Sequence, residues 1–179
     1  MSKSLLYVIP LALLALVAGI WLAQTRYAPH APELPATVLW QLAYPDTQGR
    51  PQALSQWRGR VLVLNFWASW CAPCREEIPD FVALRAQYAA KGVEFVGIAV
   101  DNQANVAQFM QRQTVNYPIL IGEGTANNLA RQLGNPSGAL PYTLVLDRDG
   151  NIALTHLGRL PRADLEAILV KLVQPESGT

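Results

Sequence analysis

Val61-Leu62-Val63-Leu64-Asn65-Phe66-Trp67-Ala68-Ser69-Trp70-Cys71-Ala72-Pro73-Cys74 is the stretch on which the fold turns. Its first eight residues are apolar apart from Asn65, too continuous a run for a strand with one wet face, and they predict a central strand covered on both sides. Its last four contain the chain's only two cysteines, separated by two residues. Helical spacing takes over directly afterwards. Ile78, Phe81, Val82, Leu84 or Arg85, and Tyr88 recur along one side of a helix predicted from about Cys71 to Ala90, with a kink expected at Pro79, which lacks a backbone donor.

Elements on either side extend this pattern. Upstream, Thr37 to Ala43 and the turn-rich Tyr44-Pro45-Asp46-Thr47-Gln48-Gly49-Arg50 predict a small hairpin, and Leu54-Ser55-Gln56-Trp57 a short turn or helix. Downstream, Val93 to Val100 reads as a second buried strand, after which Asp101 or Asn102 caps a helix through Phe109 and Met110. Tyr117 to Ile121 predicts a short strand, and Ala126 to Leu133 a helix stopped at Gly134. Tyr142 to Leu146, the turn Asp147-Arg148-Asp149-Gly150 and Asn151 to Leu157 form a hairpin, and Ala163 to Val173 a closing amphipathic helix. Strands alternating with helices, then a hairpin and a last helix, give one α/β domain over residues 35–175 with helices on both faces of its sheet.

The placement of Cys71 and Cys74 gives them a chemical reading. At i and i+3 of a helix start the side chains are neighbours, close enough for a disulfide after a small adjustment. Cys71, in the first turn, faces unpaired backbone N–H groups and the positive end of the helix dipole, and both favour the thiolate. Cys74 lies one turn deeper and is less accessible. Cys71 is therefore the attacking thiol on a partner's disulfide and Cys74 the resolving one. A purely structural disulfide here would close only two intervening residues and stabilise little. Zinc would need further ligands, and the chain offers only His30 and His156 as additional nitrogen donors, one in a spacer and one in the last hairpin.

The ends and the composition set the context. Leu5 to Ala23 is uncharged, with Lys3 before it and Arg26 after it, and at about 1.5 Å per residue it is long enough for a membrane span. Trp21 and Tyr27 stand where an interfacial aromatic belt would lie. A cleaved signal would want small residues before the cut, but Trp21 and Leu16 occupy the third-last positions of the two available sites. A buried core helix would show a polar face. The expectation is an uncleaved anchor over residues 5–23, with a cytoplasmic head over 1–4, a Pro-rich spacer over 24–34 and a tail over 176–179. The domain after the anchor then lies outside the cytoplasm, in the periplasm or its equivalent. With 14 Lys and Arg against 13 Asp and Glu, and no basic stripe, nothing points to nucleic acid.

The run Phe66-Trp67-Ala68-Ser69-Trp70-Cys71-Ala72-Pro73-Cys74 resembles the active-site segment of thioredoxin-like proteins. With Leu54-Ser55-Gln56-Trp57-Arg58-Gly59-Arg60 ahead of it and Arg75-Glu76-Glu77-Ile78-Pro79 behind, the chain looks like the membrane-anchored TlpA/ResA/CcmG branch over nearly all of residues 35–175. The resemblance implies a thioredoxin-like fold with an N-terminal β-hairpin, a central insertion at about Asp101 to Glu123, and one preceding transmembrane helix. It implies a cis peptide bond at Leu140-Pro141, beside the cysteines, in a groove for an extended substrate segment bordered by Trp70, Ala72, Pro73 and Leu140. It also implies a role for Glu77. Cytoplasmic thioredoxins carry a buried Asp six residues before the first cysteine, where this chain has Asn65, and a buried Glu77 would fill that gap by taking the Cys74 proton during attack or by tuning the pair. Trp67 is expected in the core. Tyr142 is a departure, since cytochrome c maturation members often carry an acid directly after the proline.

These readings lead to an extracytoplasmic thiol–disulfide oxidoreductase that reduces specific protein disulfides, with apocytochrome c or copper-site cysteines as substrates by resemblance, and with no cofactor or metal. No second cysteine pair is present, so electrons must come from another protein, such as a membrane thiol donor. Two other readings use the same cysteines. A thiol peroxidase would need one strongly activated cysteine beside a hydroxyl residue. A copper-binding chaperone would hold Cu(I) on both thiols, and the chain's two methionines, Met1 and Met110, do not form the cluster expected of it.

Overall fold

The computed structural model describes residues 9–10, 12–19 and 35–174. The chain divides into two compact units, residues 1–30 and 31–179. In the first, the described residues 9–10 and 12–19 are helical; the remainder of the expected 5–23 anchor lies outside the described residues. Among the described residues, no helix is long and apolar enough to cross a membrane.

In the second unit, strands β1 (Ala43–Pro45) and β2 (Pro51–Ala53) form a small antiparallel hairpin. A separate five-stranded sheet contains β3 (Val61–Trp67), β4 (Val93–Ala99), β5 (Ile119–Ile121), β6 (Tyr142–Leu146) and β7 (Ile152–Leu157) in the order β5-β4-β3-β6-β7. β3 runs parallel to β4, and β4 to β5, whereas β6 is antiparallel to both β3 and β7. The helices are α1 (Ala72–Tyr88), α2 (Gln103–Met110), α3 (Glu123–Gln132) and α4 (Arg162–Val173).

β3 lies in the middle of the sheet with all seven residues buried, which explains why every one of them but Asn65 is apolar. Successive residues of a strand point to opposite faces. Val61, Val63 and Trp67 pack with Cys74, Ile78, Phe81 and Leu84 of α1, Val106 of α2, and Leu165 and Leu169 of α4. Leu62, Leu64 and Phe66 pack on the other face with Leu39, Leu54 and Trp57 and with Ala126, Leu129 and Ala130 of α3. Asn65 therefore points to the α1 face, and across the strands its register neighbours are Gly97 and Thr143. Gly97 has to be small: a Cβ there would stand 2.7 Å from Ile119 Cδ1 and 2.9 Å from Trp67 Nε1.

Several boundaries differ from expectation. Thr37 to Ala43 is not a strand: Ala36–Gln41 forms a 3₁₀ turn and the hairpin begins only at Ala43. Val38, Leu39 and Trp40 are consecutive apolar residues, and the tight turn sends Leu39 fully into the second core while Thr37 and Gln41 stay outside. α1 begins at Ala72 and ends at Tyr88, after which a 3₁₀ turn, Ala89–Lys91, leads to Gly92 with φ 84°. α3 starts about one turn earlier than predicted, at Glu123. Asn102 rather than Asp101 caps α2, its Oδ1 accepting from Asn105 N at 2.9 Å.

Candidate active site

The polypeptide leaves the end of β3, turns through Ala68, Ser69 and Trp70, and starts α1 with Cys71 as the capping residue. Cys71 N donates to Ala68 O at 3.2 Å, closing the turn. Pro73 falls in the first helical turn, where its missing N–H would have no partner in any case.

Asp101, just beyond the end of β4, fixes this turn from the side. Its Oδ2 accepts from Ser69 N at 3.0 Å and Ser69 Oγ at 2.5 Å, and its Oδ1 from Asn102 N and Asn105 Nδ2, each at 2.8 Å. Burial alone would raise its pKa, but these donors outweigh burial and hold the carboxyl below the usual range. On the opposite side Arg75 Nη1 donates to Ser69 O at 3.3 Å. Trp70, between Ser69 and Cys71, is 65% exposed.

Cys71 and Cys74 form a disulfide with their Cα atoms 5.3 Å apart. Both are buried, but unequally: Cys71 retains 6% exposure and Cys74 none. Ala72 and Pro73 between them are exposed, so Trp70, Ala72 and Pro73 present a solvent-facing border to the pair.

Glu77, one turn beyond Cys74, is completely buried. Its Oε1 accepts from Asn65 Nδ2 at 2.8 Å and its Oε2 from Leu160 N at 3.2 Å. The second Asn65 amide hydrogen serves Thr143 Oγ1 at 3.0 Å, so one amide group links β3, β6 and α1. Burial raises the Glu77 carboxyl to about 7, against the two donors and the positive charge of Arg159. Tyr117, buried in the same cluster, is pushed upward by burial and then by the Glu77 charge, and keeps its proton. An ionised aspartate in place of Asn65 would face Glu77 as a like charge and would donate nothing to it.

The Leu140–Pro141 peptide bond is cis. Pro141 is buried and leads directly into β6, whose first residue, Tyr142, pairs with Phe66; the segment thus lies at the same end of the sheet as the Cys71 turn. Leu140, partly buried, packs against both cores, and Pro141 O accepts from Gly158 N at 2.8 Å. Tyr142 points away from α1: its ring stacks on Phe66 in the second core and its hydroxyl donates to Leu133 O at 2.7 Å, with burial pushing the phenol up to about 12. Tyr142, the departure from the cytochrome c maturation pattern, therefore faces the opposite side of the sheet from the cysteines.

The structure thus brings Trp70, Cys71, Ala72, Pro73, Cys74 and Glu77 together on one turn and helix start, with Leu140 and Pro141 at the same end of the sheet. Sequence reasoning left out Ser69, Asp101, Thr143, Arg159 and Leu160. Asp101 drew notice only as a helix cap, and a backbone amide such as Leu160 N has no signature in a sequence.

A family model described as Redoxin matches residues 30–169. The thiol-disulfide oxidoreductase ResA of Bacillus cereus (strain ZK / E33L) is 31% identical over 129 residues, covering 71% of this chain and 72% of the relative. Among solved structures, a Chlorobium tepidum protein assigned as the thiol:disulfide interchange protein DsbE matches with a TM-score of 0.67 and 28% identity, over 74% of this chain and 93% of that one. A secreted thiol-disulfide isomerase from Corynebacterium glutamicum matches with a TM-score of 0.65 and 28% identity, over 74% and 83%. With a two-cysteine helix start on the matching sheet, the chain belongs to the Redoxin family, as a protein disulfide oxidoreductase of the thioredoxin-like TlpA/ResA/CcmG type.

Proposed function

We propose that this protein is an extracytoplasmic reductant of specific protein disulfides, held to the cytoplasmic membrane by residues 5–23 and recharged by a membrane thiol donor. Apocytochrome c haem-site cysteines and copper-site cysteines are the substrate classes this reading favours. The uncharged stretch from Leu5 to Ala23 supports the location, as does a secreted relative of the same fold.

One observation carries the mechanism: a buried carboxyl, Glu77, one helical turn from the buried resolving cysteine and poised near neutrality. In the reduced protein Cys71, at the positive end of α1, attacks one sulfur of the substrate disulfide as its thiolate. The Cys71–substrate bond forms and the other substrate sulfur leaves as a thiolate, taking a proton from solvent. Cys74 gives its proton to the Glu77 carboxylate and attacks Cys71 Sγ. The Cys71–Cys74 disulfide closes, the second substrate sulfur leaves, and two electrons have passed to the substrate. A base titrating near 7 suits this step at neutral pH, because about half of it is ionised and that half is still basic enough to accept a proton. Trp70, Ala72, Pro73, Leu140 and the backbone of Pro141 border the groove in which the substrate segment lies.

The test is the reduction potential of the Cys71–Cys74 pair in the full chain, equilibrated against dithiothreitol or glutathione. A value near or below about −220 mV supports the reducing direction, and one near about −120 mV makes the protein an oxidant.

A further inference from the structure

β7 and α4 are joined by Gly158-Arg159-Leu160-Pro161, a strap that touches the site at two points. At one end Gly158 N donates to Pro141 O at 2.8 Å. At the other, Leu160 N donates to Glu77 Oε2 at 3.2 Å, with the Leu160 side chain buried among the residues that pack around the cysteines. Between them Arg159, half exposed, reaches across the outside of α1. Its Nη1 lies 3.8 Å from Glu76 Oε2 and its Nη2 3.7 Å from Asp80 Oδ2. Glu76 and Asp80 are one helical turn apart, so a single guanidinium spans the turn on which Glu77 points inward. His156 Nε2 lies 3.1 Å from Arg159 O and secures the strap from β7.

We propose that Arg159 is a positioning residue for the thiol–disulfide reaction: by bridging Glu76 and Asp80 over the turn that carries Glu77, it seats the Leu160 amide on the Glu77 carboxylate and holds a positive charge against it. This rests on the reading of Glu77 as the acceptor of the Cys74 proton.

The remaining groups around Glu77 leave this role to Arg159. β3 contributes the Asn65 amide, and β6 the Thr143 hydroxyl that Asn65 also contacts. Tyr117, ahead of β5, is an uncharged phenol. α4 brings the apolar Leu165 and Leu169 to the same core. α1 itself brings Cys71 and Cys74 and the carboxylates Glu76 and Asp80. The Asp80 charge pushes the Glu77 carboxyl up and Arg159 pushes it down. Neutralising either partner of the Arg159–Asp80 pair breaks the same ion pair but changes the field at Glu77 in opposite directions. A strap that mattered only for packing would respond in one direction to both.

A chromogenic aryl disulfide added to the reduced full chain separates the steps. One arylthiolate leaves when Cys71 attacks, and a second when Cys74 resolves the mixed disulfide. The rate of the second release, followed from pH 5 to 9, reports Glu77 through its midpoint. Arg159→Gln moves that midpoint up by about half a pH unit and Asp80→Asn moves it down by a similar amount, the size expected of one partly screened charge. Both shifts shrink as salt is added. If Glu77→Gln abolishes the midpoint while the Arg159 and Asp80 variants move it in the same direction, or not at all, the proposal for Arg159 is overturned and the reading of Glu77 stands. If Glu77→Gln leaves the midpoint in place, the reading of Glu77 fails and the role of Arg159 falls with it.

Discussion

Asn65 Nδ2 lies 2.8 Å from Glu77 Oε1, joining the middle strand of the sheet to the helix that begins at the cysteines. The bond lies within the apolar core beneath the Cys71–Cys74 disulfide, where a charge is costly and a hydrogen-bonded acid near neutrality is tolerated.

Glu77→Gln keeps the shape of the side chain and removes its proton affinity. At pH 7 the resolving attack of Cys74 slows by roughly a hundredfold, the scale of general-base assistance, while the initial attack of Cys71 is unchanged. Rapid-mixing measurement of the two arylthiolate releases checks this; equal slowing of both steps would contradict it.

The same residue makes stability depend on pH. The folded-state pKa of Glu77, about 7, lies above its ordinary value of 4.5, so folding favours the protonated acid. Its contribution is fully present below about pH 4.5 and is lost as pH rises through about 7. The full difference is on the order of 3 kcal/mol. In denaturant titrations of the oxidised protein, the stability of wild type relative to Glu77→Gln falls between pH 5 and pH 8. A constant difference would show that Glu77 is not the titrating group.

Cys71 retains some exposure and Cys74 has none, so on the proposed mechanism Cys71 reacts first. Cys74→Ser leaves an attacking thiol with nothing to resolve it, and accumulates a mixed disulfide with a protein substrate or glutathione. Cys71→Ser leaves a thiol that substrate cannot reach, and accumulates none. Mass spectrometry of the intact variants reads the outcome, and trapping by Cys71→Ser would reverse the assignment.

Asp101→Ala strips the acceptor from Ser69 N, Ser69 Oγ, Asn102 N and Asn105 Nδ2 together. Stability falls by about 1–3 kcal/mol. Amide exchange at Ser69 accelerates while the β3 amides stay protected, because the damage is confined to the turn that presents Trp70 and Cys71. Unchanged exchange at Ser69 would show that another contact holds the turn.

Gly97→Ala forces a methyl group against Ile119 Cδ1 and the Trp67 indole, both buried in the core that packs on α1. The expected loss is about 1–3 kcal/mol in denaturant unfolding, with a change in Trp67 fluorescence as its ring shifts against Phe109. A neutral substitution would mean that Trp67 has a second rotamer available.

Most of the scaffold was legible along the chain because burial on both faces leaves a compositional mark. Val61 to Trp67 is apolar apart from Asn65 and Val93 to Ala99 apart from Glu94, and each forms a buried strand. Thr37 to Ala43 was misread because a tight turn can bury one side chain, Leu39, without any repeating pattern. The cysteine pair declared itself by its spacing and its position between strand and helix, and the fold around it matched the family that the sequence resembled.

The element that carries the cysteines is written locally along the chain: a buried strand, a turn, two cysteines at a helix start, and an acid one turn further on. These are local facts, set by periodicity and by residues close together in the chain. Tertiary structure decided the environment in which that element works. Asn65, itself held by Thr143 of the neighbouring strand, donates to Glu77, Leu160 reaches it from 83 residues along the chain, and Asp101 pins Ser69 from 32 residues away. The proton affinity of Glu77 depends on desolvation and on donors brought by the closure of the whole domain, so no pattern along α1 specifies it.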